Sequence, residues 1–416
     1  MELVMEIIHE GCCGVDVHKK QITVCLMISG PSGRLKSKEV RRFETFTHDL
    51  ESFAEWLQQN ECKAVAMEST GSYWKPVFNV LEDKGIEVCL VNARHMKNVP
   101  GRKTDAKDCE WIAQLFRQGL LRPSLIPDRE VRECRELLRR RKKLIQQRSS
   151  EINRLQKFLE EANIKLASVA TDVMGVSSLA MIQALLAGER DTDKLAELAR
   201  GTLRCKKDQL RKALRGNIRD HHILLLSQVL KHIDFINEQI EELSEDIDDR
   251  LKPHKDDIAR LDQIPGVNKK AAETIIAEMG ADMRFFKNSQ RAASWAGVCP
   301  GNNESAGKRR SGRNTGGNKW LREILVEAAT SASLTKNTFL RARYDRLVKR
   351  MGAKKARFAL AHRILVIAYD ILRNKNNYRE LGADHYLEQE TQNKKNKALL
   401  ELRSLGFDVQ LLPAAG

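Results

Sequence analysis

Gly14-Val15-Asp16-Val17 and Ile22-Thr23-Val24-Cys25-Leu26-Met27-Ile28 are separated only by His18-Lys19-Lys20-Gln21. Both runs are apolar and rich in residues that favour strands, and Gly30-Pro31-Ser32-Gly33 then signals a turn into a third, more polar strand ending near Phe43. Three strands joined by short connections form a meander. Asp16 sits in the middle of the first strand, where a charge is costly unless a cation or several donors compensate it.

Working outward, Thr47 is placed to cap a helix with Leu50, Phe53, Ala54 and Leu57 on one side. Ala64-Val65-Ala66-Met67 then reads as a buried strand, followed by a further helix, a strand over 86–91 and another helix. Three strands, helix, strand, helix, strand, helix is the order of an α/β RNase H-like domain, here over 1–127. From 128 to about 170 the composition shifts to Arg, Lys, Glu, Gln and Leu without Gly or Pro, which predicts a long helix. Val229, Ile233, Ile236, Ile240, Leu243 and Ile247 recur at steps of four and three residues. That is a coiled-coil seam, free to pair within the chain or with a second copy. A central coiled coil over 128–255 with a helical insertion at 171–227 follows, then a mostly α-helical domain over 256–378. The tail, 379–416, is charged and reads as loosely ordered.

The formal charge of +16 and pI near 9.4 call for a polyanionic partner. Between 305 and 375 there are 18 Lys/Arg and 4 Asp/Glu, and 121–150 holds 10 basic and 4 acidic residues. Two separated basic stretches fit a protein that grips a long nucleic acid, or two different ones. Arg139-Arg140-Arg141 belongs to the second stretch and reads either as a phosphate contact or as a solvated helix face. Nine scattered cysteines, with no zinc-ligand spacing, predict reduced thiols. With no leader-like N-terminus and no long apolar run, a soluble cytoplasmic protein with no membrane association is expected.

Chemistry gathers in two places. Glu68 ends the strand beside the first one, and Asp105 and Asp108 open a helix behind Thr104, three residues apart and so on one face. With Asp16 these four carboxylates are the donor set that two Mg²⁺ ions need, about 3.5 to 4 Å apart for phosphodiester chemistry, with Mn²⁺ as a substitute. The second place is the loop 299–318, which interleaves glycine, asparagine and serine with Lys308, Arg309, Arg310 and Arg313, cations suited to collecting phosphate. Ser305, Ser311 and Thr315 stand level there as nucleophiles on composition alone. Upstream, Ile264-Pro265-Gly266-Val267-Asn268-Lys269-Lys270 reads as a helix-hairpin-helix, where Gly266 makes the turn and Lys269 and Lys270 open the second helix towards a DNA phosphate.

Taken together, Gly14-Val15-Asp16-Val17-His18-Lys19, Met67-Glu68-Ser69-Thr70-Gly71-Ser72-Tyr73, Lys103-Thr104-Asp105-Ala106-Lys107-Asp108, Ile264-Pro265-Gly266-Val267 and 296–307 resemble the DEDD-type transposases of the insertion-sequence 110 family. That resemblance implies a RuvC-like nuclease domain followed by a serine transposase domain. It implies that Asp16, Glu68, Asp105 and Asp108 bind metal, and that Ser305 is the nucleophile joined covalently to a cut DNA end. It further implies donor and target DNA as substrates, a structured bridge RNA as guide, and a homo-oligomer, dimer or tetramer, working at the nucleoid. Cys109 and Ala306 depart from the commonest family pattern without touching the ligands. A RuvC-like junction or hybrid nuclease that hydrolyses with water is the rival reading, and a non-catalytic DNA-bridging protein is the third. Ser305→Ala separates the first two, and Asp16→Ala separates both from the last.

Overall fold

β1 (Gly11–Val17) is buried on both faces from Cys12 to Val15, as a strand must be when helices cover a sheet from both sides. The structure, a computed structural model, describes residues 7–30, 34–69, 71–92, 108–121, 123–299, 303–305, 308–311 and 316–406. Contacts divide the chain into two units, Met1–Ile126 and Pro127–Gly416.

In the first unit, β1 is followed by β2 (Gln21–Ser29), β3 (Leu35–Glu44), α1 (Thr47–Gln59), β4 (Ala64–Glu68), α2 (Trp74–Asp83), β5 (Glu87–Val91) and α3 (Asp108–Arg117). The sheet order is β3-β2-β1-β4-β5, with β1, β2 and β3 antiparallel and β4 and β5 parallel to β1. This is the mixed α/β sheet expected from the meander and the strands after it. Leu50, Phe53, Ala54 and Leu57 of α1 pack with Val77 and Leu81 of α2 on the face carrying Cys13, Val15, Val65 and Met67. Ile112, Ala113 and Phe116 of α3 cover the other face, against Cys12, Ala64 and Ala66. Thr47 is not the cap of α1: Phe46 holds that position and makes no side-chain cap bond.

The second unit runs through α4 (Arg129–Glu161), α5 (Val176–Leu186), α6 (Thr192–Glu197), α7 (Lys207–Leu214), α8 (Asp220–Arg250), α9 (Lys255–Asp262), α10 (Lys269–Met279), α11 (Ser289–Ala296), β6 (Asn303–Ser305), β7 (Lys308–Ser311), α12 (Lys319–Ala332), α13 (Phe339–Met351), α14 (Ala353–Asn374) and α15 (His385–Ser404). The long helices α4 and α8 lie antiparallel, since Arg250 Nη1 is 3.0 Å from Glu133 Oε2 and Arg148 donates to Asn237 at 3.1 Å. Val229, Ile233, Ile236, Ile240 and Ile247 of the sequence seam are buried within this chain. The seam is therefore spent internally, which removes it as a contact to a second copy. At the joined ends of α4 and α8, residues Leu166, Met181, Ile182, Leu195 and Leu210 form a separate small core with Leu155 and Leu226. The expected insertion is thus a helical head on a two-helix stalk.

At the other end of the stalk, α14 is the central helix of a bundle, with Leu360, Ile364, Leu365 and Ala368 fully buried. Gly266 joins α9 to α10 at φ +87°, and a Cβ there would stand 2.3 Å from the Ala328 carbonyl of α12. Only glycine combines that φ with so close an approach. Two further expectations change. The tail holds a regular helix, α15, in place of loose chain, and the basic serine loop contains a two-stranded ribbon.

Candidate active site

The parallel register pairs Cys12 with Ala64, Gly14 with Ala66 and Val15 with Met67. Carried one residue further, it sets Asp16 level with Glu68. Alternation along each strand puts Asp16 on the face of Cys12 and Gly14, and Glu68 on the face of Ala64 and Ala66. That is the face α3 covers. α3 lies flush on β1 because Gly14 has no side chain: a Cβ there would be 2.2 Å from the Cys109 carbonyl and 2.4 Å from the Ala113 nitrogen. At the far end of the helix, Arg117 Nε donates to Ser29 Oγ at 2.9 Å, while Cys12 Sγ lies 3.6 Å from the Ala113 carbonyl. α3 therefore runs opposite to β1 and starts near its carboxyl end, bringing Asp108 to the end of the sheet where Asp16 and Glu68 stand.

All three acids are half-buried. His18 Nε2 is 3.1 Å from Asp16 Oδ2, and Lys38 donates to Glu110 of α3 at 2.9 Å, tying the helix to β3. Cys109, beside Asp108, is buried, and burial first, with the Glu110 and Asp16 charges adding to it, pushes its thiol pKa up. Cysteine here acts as a small apolar filler against β1. The carboxyl ends of parallel strands are where open α/β sheets take ligands. Asp105 lies outside the described residues, and among those described no three His, Cys, Asp or Glu side chains stand close enough to hold a metal ion. In kind, the donor set suits a hard divalent cation: carboxylates on one face, at one end, beside a helix N-terminus.

Ser305 ends β6 and pairs with Lys308 at the start of β7, while Glu304 pairs with Arg309. Only 306–307 lie between the strands, so the serine sits at the tip of a tight hairpin carrying Lys308, Arg309 and Arg310. Arg313 lies outside the described residues. Further along the chain, Asn318 donates its backbone N–H to the Trp295 carbonyl at 3.0 Å, and its side chain caps α12 by accepting from Trp320 N and Leu321 N. The same side chain donates to Glu278 at 2.6 Å.

Glu278 was not legible as a key residue, yet it organises this part of the bundle. It is 2% exposed and accepts from Arg139 through both oxygens at 2.8 Å, with Arg135 at 3.3 Å. Arg141 is 4% exposed and donates to buried Glu273 at 2.7 Å. Consecutive helical residues point about 100° apart, so the basic run divides: Arg141 is an internal ion-pair partner, Arg139 is clamped by Glu278, and Arg140 alone is solvent-exposed. This corrects the reading of the three as one basic surface. Two glutamates within the largely apolar Ala271-Ala272-Glu273-Thr274-Ile275-Ile276-Ala277-Glu278 were the available signal, because buried acids need buried partners. Asn268 caps α10 through Ala271 N at 2.9 Å, Lys269 meets Asp248 at 2.8 Å, and Lys270 is exposed. Gly266 presses the turn onto α12.

The family described as "Transposase", of the DEDD type, matches residues 13–164, and "Transposase IS116/IS110/IS902 family" matches 258–345. The transposase-like protein y4pF/y4sB of Sinorhizobium fredii is 27% identical over 327 residues, covering 76% of this chain and 74% of its own. The transposase for insertion sequence element IS1111A of Coxiella burnetii is 24% identical over 326 residues, covering 76% and 79%. Two structures of RuvC from Thermus thermophilus, one in complex with a Holliday junction substrate, are 16% identical with a TM-score of 0.22. They cover 27% and 28% of this chain and 99% and 100% of their own, a likeness too slight to bear on function. The two family matches together take in both the carboxylate edge and the stretch bearing the serine hairpin, and the chain belongs to the IS110 family of transposases.

Proposed function

We propose that this transposase cuts and rejoins DNA strands with Asp16, Glu68, Asp105 and Asp108 holding divalent cations, Mg²⁺ or Mn²⁺, and Ser305 as the nucleophile. What supports the reading is that Asp16, Glu68 and Asp108 belong to one face at one end of the sheet, where α3 packs closely on β1 through Gly14. Bound there, the metal supplies Lewis-acid stabilisation of charge developing on the phosphate. Ser305 Oγ forms a bond to phosphorus as the bond to the leaving strand's oxygen breaks, and the serine proton passes to solvent. The phosphodiester is conserved in the adduct, so the reverse attack by a DNA hydroxyl rejoins strands without ATP. Lys308, Arg309 and Arg310 supply the local positive charge that favours phosphate at the hairpin. Exposed Arg140 and Lys270 are further phosphate contacts in this reading. A structured guide RNA would choose the donor and target sites.

The test is strand exchange with donor and target DNA, Mg²⁺ and RNA transcribed from the region flanking the gene. Wild type should exchange strands and leave a denaturation-resistant protein–DNA adduct, and Ser305→Ala should give neither. A Ser305→Ala protein that still cleaves at the wild-type rate by hydrolysis makes the chain a nuclease and removes the serine step. Exchange that proceeds equally without RNA removes the guide.

A further inference from the structure

The charge at the head of the stalk differs from that of the stalk itself. Residues 200–219 hold eight Lys/Arg and one Asp/Glu. They form a short 3-10 helix, α7 and the connection into α8. Some of this charge is neutralised within the head: Lys207 pairs with Glu197, and Arg211 with Asp193 and Asp208. Those acids lie on α6 and α7, and they are used up by these two cations. Arg200, Arg204, Lys212 and Arg215 are exposed and have no acidic partner among the described residues.

The backbone that bears them is held firmly. Asn217 N–H donates to the Ala162 carbonyl and Lys165 N–H to the Ala213 carbonyl, both at 2.8 Å. Leu210, Ala213 and Leu214 bury the inner side of α7. On a helix, Lys212 falls opposite that inner side, towards solvent. Four unpaired cations on a rigid scaffold repel one another, a cost that a polyanion removes.

The distance along the stalk points to the same partner. α4 runs from Arg139, which is clamped to α10, to Glu161 at the head, roughly 33 Å at about 1.5 Å per residue. One turn of duplex DNA is roughly 34 Å. A duplex held at the basic bundle and lying along the stalk therefore meets the head about one turn away.

We propose that the helical head is a docking surface for the backbone of duplex DNA, on which Arg200, Arg204, Lys212 and Arg215 neutralise phosphates about one duplex turn from the α10–α12 end of the stalk. The contact is with phosphate and carries no sequence choice. It rests on a nucleic acid being the partner, and not on the carboxylate or serine chemistry. Binding is the readout, so failure of this contact and failure of the cleavage reading are told apart.

The experiment uses the full chain with Arg200→Gln, Arg204→Gln, Lys212→Gln and Arg215→Gln together, checked for native circular dichroism and melting. Fluorescence anisotropy follows binding to a labelled DNA duplex of about 40 base pairs and, separately, to a labelled RNA stem-loop, between about 50 and 200 mM KCl. On duplex DNA the slope of log K against log salt should fall in magnitude by up to about 3.6, at about 0.9 per lost phosphate contact, with at least about tenfold weaker binding near 150 mM. A loss on DNA supports the proposal, and a loss on RNA alone, with wild-type binding to DNA, would overturn it in favour of an RNA contact. The double variant Arg204→Gln/Lys212→Gln, with half the changes, should lose up to about 1.8 of the slope and serves if the fourfold variant does not fold. Wild-type affinity and slope on both probes would overturn the proposal.

Discussion

Two sets of carboxylates in this protein meet opposite fates. In the bundle, Glu273 and Glu278 are almost wholly buried and each is held by arginine, so their charges are satisfied inside the fold. At the carboxyl end of the sheet, Asp16, Glu68 and Asp108 remain half-buried, and Asp16 meets the exposed ring of His18. A carboxylate clamped by a guanidinium inside the fold is committed to that partner, whereas one at a strand's carboxyl end stays within reach of solvent and of a cation. The difference separates acids that build the molecule from acids that can serve its chemistry.

The sharpest way to break that distinction is Asp16→Asn, which keeps shape and removes charge. Strand cleavage should fall roughly 10⁴-fold, about 5.5 kcal/mol of barrier, with the melting temperature unchanged. A folded variant cutting at the wild-type rate would move Asp16 into the structural class. Glu273→Ala should do the reverse, costing about 3–5 kcal/mol in denaturant unfolding because Arg141 is left buried and unpaired. Arg141→Met/Glu273→Leu should recover most of that loss, since a buried pair replaced by apolar groups is close to neutral. Gly14→Ala should cost about 1–3 kcal/mol by driving α3 off β1, and should lower cleavage as well because α3 carries Asp108. The smallest effect is on pH dependence. Burial first, then the Arg343 and Arg363 charges, lower the pKa of His362 in the folded state. Its contribution to stability is therefore present above the ordinary histidine value near 6.5 and is lost as pH falls through the lower folded value. His362→Gln should flatten the stability curve slightly below that pH, measured as the wild-type minus variant difference in urea midpoints.

The sheet was legible because its signal is local. Residues 14–17 and 22–28 are apolar but for Asp16 and Thr23, and such runs have few other uses than a strand covered on both sides. Glycine 14 carried a second message that its own neighbours could not reveal, since the helix that needs its missing side chain lies about 95 residues further on. The seam of α8 was equally clear as a pattern, yet periodicity names a face and not its occupant, and α4 of the same chain fills it. The run Arg139-Arg140-Arg141 misled for the same reason. Charge in sequence says nothing of what stands opposite, and here two buried glutamates do.

By itself the sequence determined which segments become strands and long helices, that the partner is a polyanion, and which residue types could handle phosphate. Those properties follow from backbone preference, periodicity and summed charge, all of them carried by residues close together in the chain or indifferent to where they lie. Only the tertiary structure decided which acids meet arginines, which face of α8 is covered and which cations at the head are left without partners. Each of these depends on pairs of groups far apart in sequence, whose electrostatic and packing energies exist only once the fold has brought them within a few ångströms.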